Sequence, residues 1–460
     1  MHPKPTETAP AAAPLMPLEF TPFEYYYFLD DGPAYPTTFP VELHFSGKLD
    51  RERFHAALVA TVEQHPLLSA RVDDRRRVPR WVEGELREPH LDWQGLGVPL
   101  AYPAGGALDL REQPALRTWV SAGDISAQVV FEFHHAACDG LAGLQFARDF
   151  LAIYRAVGGE APDRAAVRSV DAELLRARGA IVGGAPRQVS VFTGLRDSWY
   201  TLKVWSAILF RAPQVLAAPE RTKTAARRNP LIFDIEVLST EESAALRQAA
   251  KRQQVTTNDL LLRDLLLVLK QWNVDHHAGS RGRLRINVPV NVRTRAEAAM
   301  PVANRIGYGF VTTKISEIDD PQQLLDLVKG ETGRIKDWKL ALYFLGGLAF
   351  ARNLPGVLPW AMRRRRSFAT AVLSNVGRFV ADPTNRDRDA RWTCGDLTLD
   401  WIGGVPPVRE LTRAAAIVID YAGRTSLCLR TDPHYFDAVS SRKLLDALAA
   451  RVRHTLSQSD

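Results

Sequence analysis

Cysteine is scarce in this chain, and its three copies, Cys138, Cys394 and Cys428, stand too far apart for a disulfide framework or a zinc knuckle. That scarcity fits a reducing compartment, so a cytoplasmic protein is expected. Equally missing is any run of about 18 apolar residues, the length a membrane span needs. The opening MHPKPTETAPAAAPLMP also lacks the apolar centre of a secretory signal. Residues 1–17 are read as a disordered tail. Nor is there a concentrated basic stripe: the net charge of +7 is spread along 460 residues. That spread disfavours nucleic acid and suits an anionic small molecule or an acidic partner. No His or Cys cluster supplies a set of metal ligands, so no metal site is expected.

What is present is ordinary globular composition, 46% apolar and 24% charged, in a chain too long for one typical core. Two packed domains are the natural expectation. FPVELHFSGKLDRERFHAALVATVEQHPLLSARV predicts a strand, a turn at Ser46-Gly47, and a helix capped by Asp50. In that helix Phe54, Leu58 and Val62 share one buried face. A second unit follows from Ala127 to Tyr154, where QVVFEF alternates as a strand does. LAGLQFARDFLAIY then carries a helical apolar face through Leu141, Leu144, Phe150, Leu151 and Tyr154. After an Ala-, Pro- and Arg-rich stretch, with a crossover helix expected in VFTGLRDSWYTLKVWSAILFRAPQVL, strands and helices alternate again. Ser239 and Glu242 fit a capping box there. Asn258 or Asp259 is positioned to cap the long apolar helix that comes next. The partition read from this pattern is a first unit over 18–185, a connection over 186–228, and a second unit over 229–460. The second unit reads as a diverged copy of the first, both of the α/β class.

Between the strand and helix of the Ala127–Tyr154 unit lies HHAACDG. Adjacent residues on a strand point to opposite sides, so only one of His134 and His135 can face a given cleft. Asp139 follows on a tight return that ends at Gly140, whose missing side chain leaves room for a ligand. An imidazole near neutral pKa beside open backbone is suited to taking a proton from a weak nucleophile. On generic grounds a strand-end histidine is more often structural.

HHAACDG resembles the HHxxxDG motif of the chloramphenicol-acetyltransferase-like superfamily: nonribosomal peptide condensation domains, wax ester synthase/diacylglycerol acyltransferases, polyketide-associated acyltransferases and plant BAHD acyltransferases. FSGKLDRERFHAALVATVEQHPLLSARV, VTTNDLLLRDLLLVLKQW, INVPVNVR and ANRIGYGF resemble further segments of that superfamily in the same order, so the likeness runs from about Leu18 to the C-terminus. It implies two α+β sandwich subdomains, arranged as a V-shaped pseudo-dimer with an active-site tunnel between them. It also implies acyl transfer from a thioester, carried by coenzyme A or by the phosphopantetheine arm of an acyl carrier protein, to an alcohol or amine. His135 would be the general base. His134 would pack on the structural side and Gly140 would keep the channel open. Asp139 would fix the loop by pairing with an arginine, for which Arg71 is the candidate. Ser374 and Asn375 in LSNVG would serve either as oxyanion donors or as a plain turn. Cys138 is expected to be structural, and no covalent acyl-enzyme is implied.

Two basic groups have a place in such chemistry. Arg281, Arg283, Arg285, Arg293 and Arg295 surround one predicted strand, and Arg363 to Arg366 follow the apolar LALYFLGGLAFARNLPGVLPWAM. Each is either a solvated surface or a contact for coenzyme A phosphate or a carrier protein. The apolar segment, interrupted by Gly346-Gly347 and Pro355, is either buried core, the lining of an acyl tunnel, or a peripheral contact with lipid. The chain departs from the BAHD pattern in having no DFGWG. With no adenylation or carrier domain it is expected to act as a standalone monomer. A freestanding condensation-type amide synthase and a catalytically idle carrier-binding relative are the alternatives.

Overall fold

The computed structural model describes residues 14–84, 88–98, 107–159, 167–180, 211–219, 233–279, 281–337, 339–363, 367–381 and 391–457. Trp199, Leu202, Trp205, Ser206, Ile208 and Phe210 are described as well. Most of the connection expected over 186–228, the first thirteen residues of the expected tail and Arg364 to Arg366 lie outside the described residues. Met16, at the end of that tail, is already packed into the core at 9% exposure.

In chain order the elements are β1 (Leu18–Glu19), α1 (Pro22–Asp30), β2 (Thr38–Ser46), α2 (Arg51–Glu63), β3 (Arg71–Asp73), β4 (Arg80–Val82), β5 (His90–Gly95), β6 (Leu116–Ala122), β7 (Ser126–His134) and α3 (Gly140–Val157). Beyond the connection come β8 (Asp234–Val237), α4 (Thr240–Arg252), α5 (Thr257–Asp275), β9 (Arg283–Asn291), β10 (Ile306–Lys314), α6 (Pro321–Asp337), α7 (Leu340–Asn353) and α8 (Val357–Met362). The chain ends with β11 (Ala371–Arg378), β12 (Thr393–Cys394), β13 (Leu397–Gly404), β14 (Ala414–Tyr421), β15 (Arg424–Thr431) and α9 (Ala438–Ser457).

Local chemistry accounts for the helix starts. Asp50 accepts from the Arg53 amide, and Ser239 and Glu242 form a reciprocal capping box at α4. At α5 the cap is Thr256 rather than Asn258 or Asp259, because the Asp259 carboxylate reaches back to the Thr256 amide as the third residue of a capping box. Helix α1, whose sequence is crowded with aromatics, starts by the same device: Thr21 and Glu24 cap each other, with Pro22 at the first helical position.

Two six-stranded sheets, ordered β12-β13-β2-β7-β6-β5 and β10-β9-β11-β14-β15-β8, form two subdomains, with a small β1-β4-β3 sheet at the side of the first. The first large sheet is not built from the first half alone. Its edge pair β12–β13 arrives from the second half and runs antiparallel to β2, with Thr398 opposite Ser46 and Gly404 opposite Val41. Both ends of that seam require glycine. Gly47 has φ +96° and a Cβ there would lie 2.2 Å from the Asp396 carbonyl oxygen, while a Cβ on Gly404 would lie 2.6 Å from that of Pro40. The division at residues 228 and 229 is therefore one of sequence, and the sheets cross it.

The apolar segment before Arg363 becomes α7 and α8. Gly346 and Gly347 do not interrupt it: α7 runs through them, and Gly347 admits the Trp205 indole, whose Nε1 would sit 1.7 Å from a Cβ. The break comes at Pro355-Gly356, where Gly356 has φ +74°. Among the described residues no helix is long and apolar enough to cross a membrane.

Candidate active site

A cavity of about 830 Å³ lies between the two subdomains. Its walls come from α1, β2 and the start of α3 on one side, and from β9, β10, β11, α7 and α8 on the other. Apolar side chains such as Leu144, Phe310, Phe344, Leu348, Leu358 and Ile417 dominate the lining. Into this wall the end of β7 delivers His135.

The strand alternation separates the two histidines as the sequence requires. His134 is turned away and is 1% exposed. Its Nδ1 accepts the Ala136 amide at 3.1 Å, and its Nε2 faces Thr37 and Asp31. Burial pushes the Asp31 carboxyl up, yet hydrogen bonds from His134 and Thr37 together leave it below its ordinary pKa. His135 is 6% exposed and lines the cavity. Burial disfavours the imidazolium and drives its pKa down to about 4, against the raising influence of nearby carbonyls and of Asp139. At neutral pH the ring is uncharged and free to accept a proton. Its Nδ1 faces the carbonyls of His135 and Cys138 without closing a full hydrogen bond, which favours the tautomer with the proton on Nδ1. The lone pair is then on Nε2.

Asp139 holds the loop from both subdomains. One oxygen caps α3 by accepting the Ala142 amide at 2.9 Å. The other accepts the Arg305 amide at 2.6 Å and pairs with the Arg293 guanidinium at 2.9 Å. Arg71 is not its partner. It lies on β3 in the small side sheet, opposite Val82, whereas Arg293 follows β9 and reaches across from the second half. The same segment also fixes the backbone of His135, since Asn304 donates from Nδ2 to the His135 carbonyl at 2.5 Å. Gly140 opens α3 at the cavity wall, where a Cβ would meet nothing nearer than Val376 at 4.0 Å. Cys138 is fully buried and burial raises its thiol pKa well above the ordinary value, so it holds no thiolate for nucleophilic attack.

Ser374 and Asn375 line the same cavity from β11, and the Asn375 Oδ1 accepts the Gly377 amide at 3.0 Å. The five arginines around β9 do not act as one patch. Arg281 and Arg295 are exposed, while Arg285 is 3% exposed and donates to Thr312 and to the Phe368 and Arg211 carbonyls. Burial, with help from Arg283 and Arg211, pushes its pKa down to about 10. Among the described residues no three His, Cys, Asp or Glu side chains converge as metal ligands would.

Several solved structures share this architecture over nearly the whole chain. The epimerization domain from the third module of tyrocidine synthetase B matches with TM-score 0.65 and 14% identity, covering 96% of this chain and 98% of that one. The first condensation domain of the calcium-dependent antibiotic synthetase matches with TM-score 0.65 and 14% identity over 96% and 97%. This is the condensation-domain fold. The X-domain from teicoplanin biosynthesis is a further neighbour, with TM-score 0.63 and 16% identity over 97% and 96%. In sequence, an uncharacterized protein of Mycobacterium tuberculosis is 26% identical over 382 residues, covering 78% of this chain and 83% of that protein. No protein-family model matches the chain.

Within this condensation-domain fold, sequence reasoning did not single out several residues that build the site. Tyr27, on α1, stacks on His135 with ring centroids 3.9 Å apart and an angle of 10° between planes. Its hydroxyl lies 3.1 Å from His135 Nε2 and is also bonded to the Tyr308 hydroxyl. Arg409, from the second half, donates to the Tyr26 hydroxyl at 2.6 Å and pairs with Asp30 at the cavity wall. The Thr21-x-x-Glu24 capping box was a readable signal for α1, but the pairing of its tyrosines with β7 and β10 spans more than a hundred residues and leaves no local mark.

Proposed function

We propose that the protein is an acyltransferase that moves an acyl group from a thioester to an alcohol or amine bound in the cavity, with His135 as general base. The observation that carries this reading is an uncharged imidazole at the wall of an apolar chamber between two subdomains, on a loop clamped by Asp139 and Arg293. The acceptor loses its proton toward His135 as its oxygen or nitrogen attacks the thioester carbonyl. The thiolate leaves and is protonated in turn. A positioned base of this kind contributes a factor of about 10²–10⁴. Ser374 and the free amide of Asn375 would donate to the oxyanion.

The lining favours an apolar acyl chain over an acetyl group. A starter condensation domain of rhizomide synthetase with the same fold was solved in complex with C8-CoA, which supports coenzyme A thioesters as donors here. The mouth supports a contact with lipid or with a hydrophobic donor. Phe210, Phe350 and Trp360 line the cavity yet are 79%, 67% and 56% exposed. Segment 339–363 carries Lys339, Arg352 and Arg363 with no carboxylate.

The test is mass spectrometry of products after incubation with acetyl-, octanoyl- or palmitoyl-coenzyme A and a panel of alcohols and amines. The expected result is an ester or amide with the longer donors, absent with His135→Gln of unchanged melting temperature. No acylated product from any donor, with the thioesters still bound, would instead favour a recruiting role.

A further inference from the structure

Among the described residues, no full hydrogen bond at the Nδ1 end of His135 fixes how its ring is turned. The nearby Asp139 carboxylate is engaged by the Ala142 and Arg305 amides and by Arg293. Strand alternation aims the side chain, but the last torsion of a histidine is broad and stays unset by it. Aromatic packing sets it instead. Tyr27 lies flat against the imidazole, with ring centroids 3.9 Å apart and planes 10° apart, and Phe39 of β2 meets the ring at 5.0 Å and 54°. In that stack the Tyr27 hydroxyl stands over the imidazole face, 3.1 Å from Nε2, and leaves the in-plane lone pair of Nε2 uncovered. With Nδ1 turned to the backbone, that lone pair is on the edge that meets the chamber. Tyr27 is itself held firmly. It is 3% exposed, packs edge-on against Phe23 and Tyr26 of α1, and its hydroxyl is bonded to that of Tyr308 on β10. The helix beneath it is anchored at its start, where Glu24 accepts from the Thr21 amide, the Trp81 indole and Arg178.

We infer that Tyr27 is a positioning residue for His135: its ring fixes the plane of the imidazole so that the Nε2 lone pair stays aimed into the chamber, and its bond to Tyr308 ties that plane to the opposite subdomain. This rests on the acyl-transfer reading and adds what orients the base. No proton passes through Tyr27. The acceptor's proton goes directly to Nε2, in the plane of the ring, as the acceptor atom bonds to the thioester carbonyl carbon. The carbon–sulfur bond breaks with its electron pair on sulfur, and the imidazolium gives its proton to the leaving thiolate. A flat neighbour helps such a base in two ways. It removes the freedom that would let Nε2 swing off the acceptor, and a misplacement of about 1 Å between reacting groups costs up to about 10²-fold in rate. It also keeps water from one face of the ring, and burial is the largest influence holding the imidazole uncharged. The titratable and charged groups facing the ring from elsewhere are His134 and Cys138 beside it, Asp139 with its partner Arg293, and Tyr308 on β10. Substitution of Tyr27 leaves each of these in the chain.

The experiment has two readouts on the full chain, for wild type, Tyr27→Phe, Tyr27→Leu and Tyr27→Ala, each checked for melting temperature. One is thiol release from octanoyl-coenzyme A with the panel of alcohols and amines. The other is the titration of His135 followed by NMR of carbon-13-labelled histidine rings, the signal being assigned by its loss in His135→Gln. Tyr27→Phe keeps the flat ring, so it should titrate near 4 as wild type does and keep kcat within a few-fold. Tyr27→Ala admits water to the uncovered face. Its His135 should titrate higher, toward the ordinary 6.5, and the acid limb of kcat/KM, which needs the unprotonated ring, should move up with it. Its kcat should fall by about 10–10²-fold with KM within a few-fold. Should Tyr27→Ala lose its fold, Tyr27→Leu, which fills the site without a flat face, carries the same loss in kcat. If folded Tyr27→Ala or Tyr27→Leu keeps the wild-type kcat, or Tyr27→Phe is impaired as much as they are, the ring does not orient the base and the inference is wrong. If wild type releases no thiol with any acceptor, the acyl-transfer reading falls by itself. The titrations then decide the hold on the ring, which an unmoved His135 in Tyr27→Ala overturns.

Discussion

The two six-stranded sheets differ in ownership. The sheet around β14 is built from the second half alone, whereas the sheet that carries His135 takes its edge pair β12–β13 from the other half of the chain. The same asymmetry recurs at the motif. Asp139, Arg293, Arg305 and Asn304 meet across the junction, so the loop that presents His135 is held by residues it does not share a sheet with. The first subdomain is thus structurally incomplete, and its incompleteness lies next to the loop that presents His135. A histidine on a self-sufficient lobe would shift relative to the opposite wall whenever the lobes moved. Here strand pairing and the ion pair between buried Asp139 and half-buried Arg293 tie its position to the opposite wall.

Separating the halves should break this arrangement most severely. Residues 14–180 expressed alone leave the β2 edge unpaired and Asp139 buried without Arg293, so an aggregated or unfolded product is expected by circular dichroism and gel filtration. Co-expression with residues 211–460 should recover it, and a folded, monodisperse first half would contradict the comparison.

Ion pairs inside and across the junction sharpen it. Within the first subdomain Arg178 donates to both oxygens of Glu24 at 2.7 and 2.9 Å, with both side chains buried. Arg178→Met leaves that buried carboxylate without its cation, held only by the Thr21 amide and the Trp81 indole, and should lower the unfolding free energy by about 3–5 kcal/mol in denaturant titration. Arg293→Met should lower it by less, about 1–3 kcal/mol, because the Arg293 side chain is 18% exposed against 3% for Arg178, and Asp139 keeps two backbone amides. Its larger effect is expected on kcat, through the freed loop.

Much of the fold was legible because it is written locally. The turn at Gly47, the caps at Asp50 and Ser239, and the alternation of QVVFEF each depend on a few neighbouring residues, and HHAACDG stands between β7 and α3 as expected. What escaped depends on distance along the chain. Thr393–Gly404 carries no sign that its partner is β2, more than three hundred residues away. Resemblance implies an arginine partner for Asp139 and makes Arg71 the candidate, but the partner is set by how two subdomains meet, which brings in Arg293. Tyr27 and Tyr308, 281 residues apart, come together only in the assembled cavity.

The pH dependence of kcat/KM for thiol release, measured on wild type and on folded His135→Gln, tests the central claim most directly. A base must be unprotonated, and burial lowers the His135 pKa from its ordinary 6.5 to about 4. Wild-type activity should therefore persist as pH falls through 6.5 and decline only near 4, while the variant is slower by about 10²–10⁴ and lacks that limb. Equal rates in the two proteins, or an acid limb that survives the loss of His135, would contradict it.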